Sequence, residues 1–257
     1  MTDPTGRHAA DAVPPPGPEE PQGVRTDLDV HPAVDVPKPY TRGTLESEEG
    51  EIKDGILRMG SLVAERIVAA IDALENHDAD AATAIIENDR DINAMERQIS
   101  DLIRLTIATQ QPVARDLRFL LTLDHVAYDL ERMGDYASSV AKQARKLAPI
   151  PPLRDYVHLP EMGRLAASLV RDVLGAVVEV DAERARAVAR RDDDVDELYH
   201  AIFEEALDLM RADPANVDTG ARILFAAHYI ERVGDRVTNI AEDVVFLATG
   251  EVTELNE

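Results

Sequence analysis

The chain of 257 residues contains no cysteine and no tryptophan. Without cysteine there can be no disulfide and no thiolate metal site, which suits a reducing compartment. Aromatic residues make up only 4% of the sequence, so a core must be built from Ala, Val, Leu and Ile, the composition of helix-on-helix packing. Basic residues are also short: 27 Lys and Arg stand against 50 Asp and Glu, a formal charge of −23. A surface of that sign repels nucleic acid and anionic lipid and attracts cations. No nucleic-acid partner is expected. No apolar run reaches the roughly 20 residues needed to cross a bilayer, and the first residues lack the basic and apolar regions of a signal peptide. A cytoplasmic protein without direct membrane insertion is expected. Also missing are a Gly-rich phosphate loop, a Cys/His zinc pattern, the Glu-x-x-His pairs of di-iron bundle enzymes and a nucleophile beside a base. No catalytic residue and no organic-cofactor site is assigned.

What the chain does have is a duplication. Glu131-Arg132-Met133-Gly134-Asp135 returns as Glu231-Arg232-Val233-Gly234-Asp235. Met59-Gly60 pairs with Met162-Gly163, Asp78 with Asp181, and Asp89 to Asn93 with Asp192 to Asp196, all at an offset of 103 residues. The offset falls to 102 at Pro112 and Pro214 and to 100 at the Glu-Arg-x-Gly-Asp block, as small differences in loop length would produce. Such a repeat sets the architecture before any other signal.

The rest of the chain is punctuated as helices. Residues 1–43 hold nine of the fifteen prolines and no hydrophobic period, which predicts a disordered or polyproline-like tail. Beyond it the pattern predicts helices at about 44–76, 79–109, 112–147, 160–179, 182–212 and 215–248. Asp78 and Asp181 stand where N-caps are needed, Pro112 and Pro214 near the first helical position, and Gly250 at a C-terminus. The fold expected is all-α: two pseudo-symmetric antiparallel three-helix bundles, residues 44–148 and 158–251. In the third helix of each half, Val126, Leu130, Met133, Ala137 and Val140, and Ile230, Val233, Val237, Ile240 and Val244, form the core seam.

The repeated block places Glu131 and Asp135, and Glu231 and Asp235, one turn apart on a helix face. One such pair is an ordinary exposed acidic pair. Its duplication, with a costly mid-helix glycine in each copy (Gly134, Gly234), points to ligation of a hard or borderline metal ion by oxygen. On helical geometry the pairs face away from their own seam, so a shallow surface site is expected. Asp89, and Asp192 with Asp196, lie on the flank of the second helix, where they can join the pairs on the third. Asn93 replaces a carboxylate, so fewer or weaker ions are expected in the first half. His228 shares the face of Glu231, and a hydrogen bond is its expected role. Asn239 is a candidate to support Asp235, and Arg132 and Arg232 can pair with carboxylates or face a partner.

Gln111-Pro112-Val113-Ala114-Arg115-Asp116-Leu117-Arg118, both Glu-Arg-x-Gly-Asp blocks with Thr238-Asn239-Ile240-Ala241-Glu242, and Thr249-Gly250-Glu251 resemble the PhoU family over about residues 44–251. The Pro-rich start has no counterpart there. The resemblance implies two three-helix bundles, a homodimer, and surface clusters of iron, zinc, manganese or magnesium. It implies no catalysis but negative regulation of phosphate uptake and of the phosphate-starvation response. The partners it implies are the ATPase subunit of the phosphate ABC transporter and a sensor histidine kinase. The competing readings are a metal-dependent, di-iron-like helical enzyme and a metal-storage protein.

Overall fold

In the computed structural model, which describes residues 42–151 and 158–255, the chain is helical almost throughout. The helices are α1 (Arg42–Glu75), α2 (Ala79–Glu87), α3 (Asp89–Gln110), α4 (Arg115–Leu147), α5 (His158–Glu179), α6 (Ala182–Ala189), α7 (Asp192–Ala212) and α8 (Val217–Thr249), with a 3-10 turn at Pro214–Asn216. No strand occurs among the described residues, and the fold is the expected all-α tandem repeat. The expectation for residues 1–43 lies outside the described residues except at its end, where α1 has already begun.

Each half runs up, down and up. Gly55 meets Ile99 and Gly134 meets Ile92, so α3 runs antiparallel to both α1 and α4. In the second half Asp192 lies against Gly234 while Met210 lies against Gly220, the same antiparallel sense between α7 and α8. All ten residues of the two expected core seams are fully buried.

The two halves pack through reciprocal contacts. Gly60 of α1 abuts Leu174 of α5, and their repeat mates Gly163 and Ile71 abut each other in turn. Asp129 of α4 binds Arg236 of α8 at 3.0 Å, and the mates Tyr136 and Tyr229 stack with ring centroids 6.3 Å apart. When residue i meets the copy of j, and j meets the copy of i, the two units are related by a two-fold axis. Here that axis is internal to one chain.

Three sequence expectations need correction. The second helix of each half is not continuous: 79–109 breaks at Asn88 and 182–212 at Arg190 and Arg191, so the described residues form eight α-helices rather than six. Arg66 of α1, a buried residue, donates at 2.5 Å to the Asn88 carbonyl oxygen, which also accepts the Asp91 amide, and pairs with the Asp91 carboxylate at 3.3 Å. Arg191 is held by Asp172 at 2.6 Å and Ser168 at 3.0 Å. Each break is thus tied by an arginine to a neighbouring helix. Second, Pro112 lies three positions before α4, not at its start, whereas Pro214 does open the turn that leads into α8. Third, α8 begins at Val217 because that turn precedes it.

The N-caps are as expected. The Asp78 carboxylate accepts the amide of Ala81, and that of Asp181 the amides of Glu183 and Arg184. Before each cap the chain turns through a left-handed residue, His77 (φ 52°) and Val180 (φ 54°), again repeat mates. Asp78 N–H returns to Ala73 O and Asp181 N–H to Ala176 O, the six-to-one bond that closes a helix C-terminus. A β-branched residue in this region is strained. The closing bond is thus retained in both halves without glycine.

Candidate functional site

The helix break brings the acidic residues together. Asp89 and Asp192 are the first residues of α3 and α7, where the positive end of the helix dipole favours a carboxylate. Each reaches the third helix of its half. Ser138 Oγ donates to Asp89 Oδ1 at 2.6 Å, and Thr238 Oγ1 to Asp192 Oδ2 at 3.1 Å. These hydroxyls were not singled out from the sequence, although both follow the repeated Asp at the same spacing. The glycines explain themselves here. A Cβ on Gly234 would lie 2.1 Å from Asp192 Oδ1, and one on Gly134 would lie 2.8 Å from Ile92 Cδ1. They let the second helix approach the third at the level of the paired carboxylates.

The expectation of a shallow surface pair is overturned for the first half. Glu131 is only 8% exposed, because α3 lies across the face opposite the seam. Burial, and after it the negative charge of Asp135 working against the hydrogen bond from Arg132, holds the Glu131 carboxyl above the usual carboxylate range. Asp135 is raised by burial, with Asp89 adding repulsion. In the second half burial and then Asp235 raise both Glu231 and Asp196. The charges on α7 and α8 thus feel one another across the groove, as the flank reading requires.

The two clusters differ in what neutralises them. Arg132 bridges the first pair. It donates to both oxygens of Glu131, through Nη2 at 2.7 Å and through Nε, and Nη1 lies 3.1 Å from Asp135 Oδ2. Arg232 does not repeat this. Its guanidinium lies over the Tyr136 ring, 5.6 Å from the centroid. The second cluster has instead His228, whose Nδ1 lies 3.2 Å from Glu231 Oε2 but without the geometry of the hydrogen bond expected of it. That oxygen is buried and accepts no hydrogen bond. Among the described residues, no three His, Asp or Glu side chains converge closely enough to share an ion. Asn239 does not support Asp235; it is exposed and faces a different groove.

That other groove, a cleft of about 560 Å³ between α4 and α8, is lined by His125, Asp129, Arg236, Asp243 and C-terminal residues including Thr253. Burial pushes the Asp243 carboxyl up to about 6 from 3.8, with His125 opposing and Asp129 and Glu242 adding to the shift. A raised acid stabilises the fold through its neutral form. That contribution is complete below its ordinary value and is lost as pH rises through about 6. We therefore expect Asp243→Asn to gain about 1–2 kcal/mol near pH 7.5 and almost nothing near pH 4, a figure reduced for the group's partial exposure. Urea midpoints at the two pH values check this; equal gains at both would remove charge as the cause.

A helical tandem repeat with paired carboxylates on the third helix of each half defines a class of acidic, all-α bundle proteins. The PhoU domain model matches residues 56–144 and 159–244, one in each half, and the chain belongs to the PhoU family. It is 38% identical over 218 residues to the phosphate-specific transport system accessory protein PhoU homolog of Clostridium acetobutylicum, covering 84% of this chain and 100% of that one. Identity to the homolog from Xylella fastidiosa (strain 9a5c) is 40% over 207 residues, 80% of this chain and 87% of the relative. Among solved structures, PhoU from Pseudomonas aeruginosa matches with a TM-score of 0.76 and 34% identity, over 80% of this chain and 99% of the other. The phosphate transport system regulatory protein PhoU from Streptococcus pneumoniae matches with a TM-score of 0.76 and 32% identity, over 81% and 99%.

Proposed function

We propose that this protein is an accessory regulator of phosphate transport: a cytoplasmic, metal-binding adaptor that restrains phosphate uptake and the starvation response. It does so by docking to the phosphate ABC transporter ATPase and to a sensor histidine kinase. The observation that carries the reading is the match along the whole length of a phosphate-specific transport system accessory protein. A non-catalytic role accords with a site that offers ligands but no activated nucleophile. No helix among the described residues is long and apolar enough to cross a membrane, so contact with a transporter would run through its cytoplasmic parts.

The donor set fits a metal. In the second half, Asp192, Asp196, Glu231 and Asp235 supply carboxylate oxygens suited to iron, zinc, manganese or magnesium. A buried Glu231 oxygen that lies near His228 but accepts no hydrogen bond, together with mutually raised acids, marks a cluster in which a cation would offset repulsion. Closing these groups on an ion calls for side-chain rotation. In the first half Glu131, Asp135 and Asp89 offer fewer carboxylates, and Arg132 already neutralises the pair, so weaker loading is expected there.

Deleting the gene should raise phosphate-starvation outputs in phosphate-rich medium, and the tagged protein should recover the transporter ATPase from membranes. Because the surface is strongly acidic, recovery should fall as salt rises from low to physiological strength. Unchanged starvation outputs, with no transporter or kinase component recovered at either salt, would end the adaptor reading.

A further inference from the structure

The two halves diverge sharply at one place. In the first half the groove between α3 and α4, beyond the carboxylates, is polar: Ser100 donates to Asp124 at 2.5 Å and to Glu96 at 3.2 Å. At the corresponding positions of α7 and α8 the three polar residues are replaced by Tyr199 for Glu96, Phe203 for Ser100 and Leu224 for Asp124. Phe225 stands beside them, 55% exposed, and Phe203 is 38% exposed. The Tyr199 ring is 6.5 Å from that of Phe203 and 6.4 Å from that of His228. An open groove of about 400 Å³ here is lined by Tyr199, Ala221, Leu224, Phe225 and His228, and Phe203 adjoins it through Tyr199. Exposed aromatic clusters of this kind mark interaction surfaces.

The surroundings select the occupant. His228 touches Glu231, so the apolar patch runs directly into the second carboxylate cluster. Asp196 lies one turn from Tyr199, and exposed Glu204 follows Phe203. A second copy of this chain, docked through the same patch about a two-fold axis, would bring these acids against themselves. A segment that pairs large apolar side chains with Lys or Arg would bury the aromatics and meet opposite charge at the rim.

We propose that the α7/α8 groove at Tyr199, Leu224 and Phe225, with Phe203 beside it, is the docking surface for a protein segment carrying apolar anchors flanked by basic residues. This deepens the adaptor reading and rests on it, in that the partner is taken to be the transporter ATPase. The test measures affinity of the purified ATPase subunit for the full chain and two variants. Phe203→Ser with Phe225→Ser should weaken binding at least about tenfold, with circular dichroism and metal content unchanged. Leu121→Ser with Tyr128→Ser, exposed apolar residues of the first half, should stay within about threefold of wild type. Wild-type binding that the Phe variant retains overturns this surface and leaves the adaptor reading standing. No wild-type binding to the ATPase subunit overturns both. A variant that instead changes from dimer to monomer on sedimentation assigns the groove to a second copy and overturns the proposal.

Discussion

Replacing Glu231 and Asp235 together by alanine should remove most of the metal carried by the second half while leaving the helices intact. The wild-type cluster holds a carboxylate oxygen with no hydrogen bond, and its acids are raised by burial and by each other. Without an ion, removing two of them relieves repulsion, so the metal-free variant should be as stable as metal-free wild type or up to about 1 kcal/mol more stable. Loaded wild type should gain about 3 kcal/mol from an ion at one hundred times its dissociation constant. In a domain of this size that is a rise in melting temperature of roughly 5–10 °C. A chelator should abolish the rise in wild type and have a much smaller effect on the variant, which keeps the weaker first-half ligands. Elemental analysis after mild purification, together with paired melts, reads both effects. Equal metal content in the two proteins would overturn the assignment of these ligands.

The second large effect should come from the seam between the halves. Valine at Gly60 and Gly163 would push α1 and α5 apart at both reciprocal crossings. A Cβ at Gly60 would lie 2.0 Å from Leu174 Cδ1, and one at Gly163 would lie 2.6 Å from Ile71 Cγ1. Leu174 is 3% exposed and Ile71 2%, so neither can swing into solvent to make room. Overpacking costs about 1–3 kcal/mol per site, and the sites should add because they share no partner. A loss of about 4 kcal/mol is a large share of the roughly 5–15 kcal/mol typical of a folded protein. Gly50 is the control: nothing lies within 4 Å of a Cβ placed there. Gly50→Ala should gain about 0.5–1 kcal/mol from helix propensity alone. Urea titrations of the three proteins check both signs. A double valine variant within about 1 kcal/mol of wild type would contradict the close crossing of α1 and α5.

Much of this molecule was legible in the sequence because helical signals are local. The seams at Val126 to Val140 and Ile230 to Val244 follow from spacing on one helix, and all ten residues are buried. The caps at Asp78 and Asp181 follow from side-chain chemistry at a chain reversal. The duplication announced two like halves, and the repeated Glu and Asp placed carboxylates on the third helix of each. Tertiary structure alone decided the rest, because it depends on what a distant segment does. The breaks at Asn88 and at Arg190 and Arg191 carry no proline or glycine; arginines next to them, or reaching in from α1, bond across to other elements. Periodicity could say that Glu131 lies opposite its seam, but not that α3 would cover that face. The near-identical blocks gave no reason for Arg132 to clamp its carboxylates and Arg232 to leave its own. That difference arises across the internal two-fold, where Tyr136 offers Arg232 an aromatic face. The repeat mate of Tyr136 is Arg236, so the second half offers Arg132 no ring across the two-fold; Arg132 lies over Tyr128 of its own helix and stays on Glu131 and Asp135. One sequence motif thus becomes two different sites, because each copy is completed by side chains that lie outside the motif.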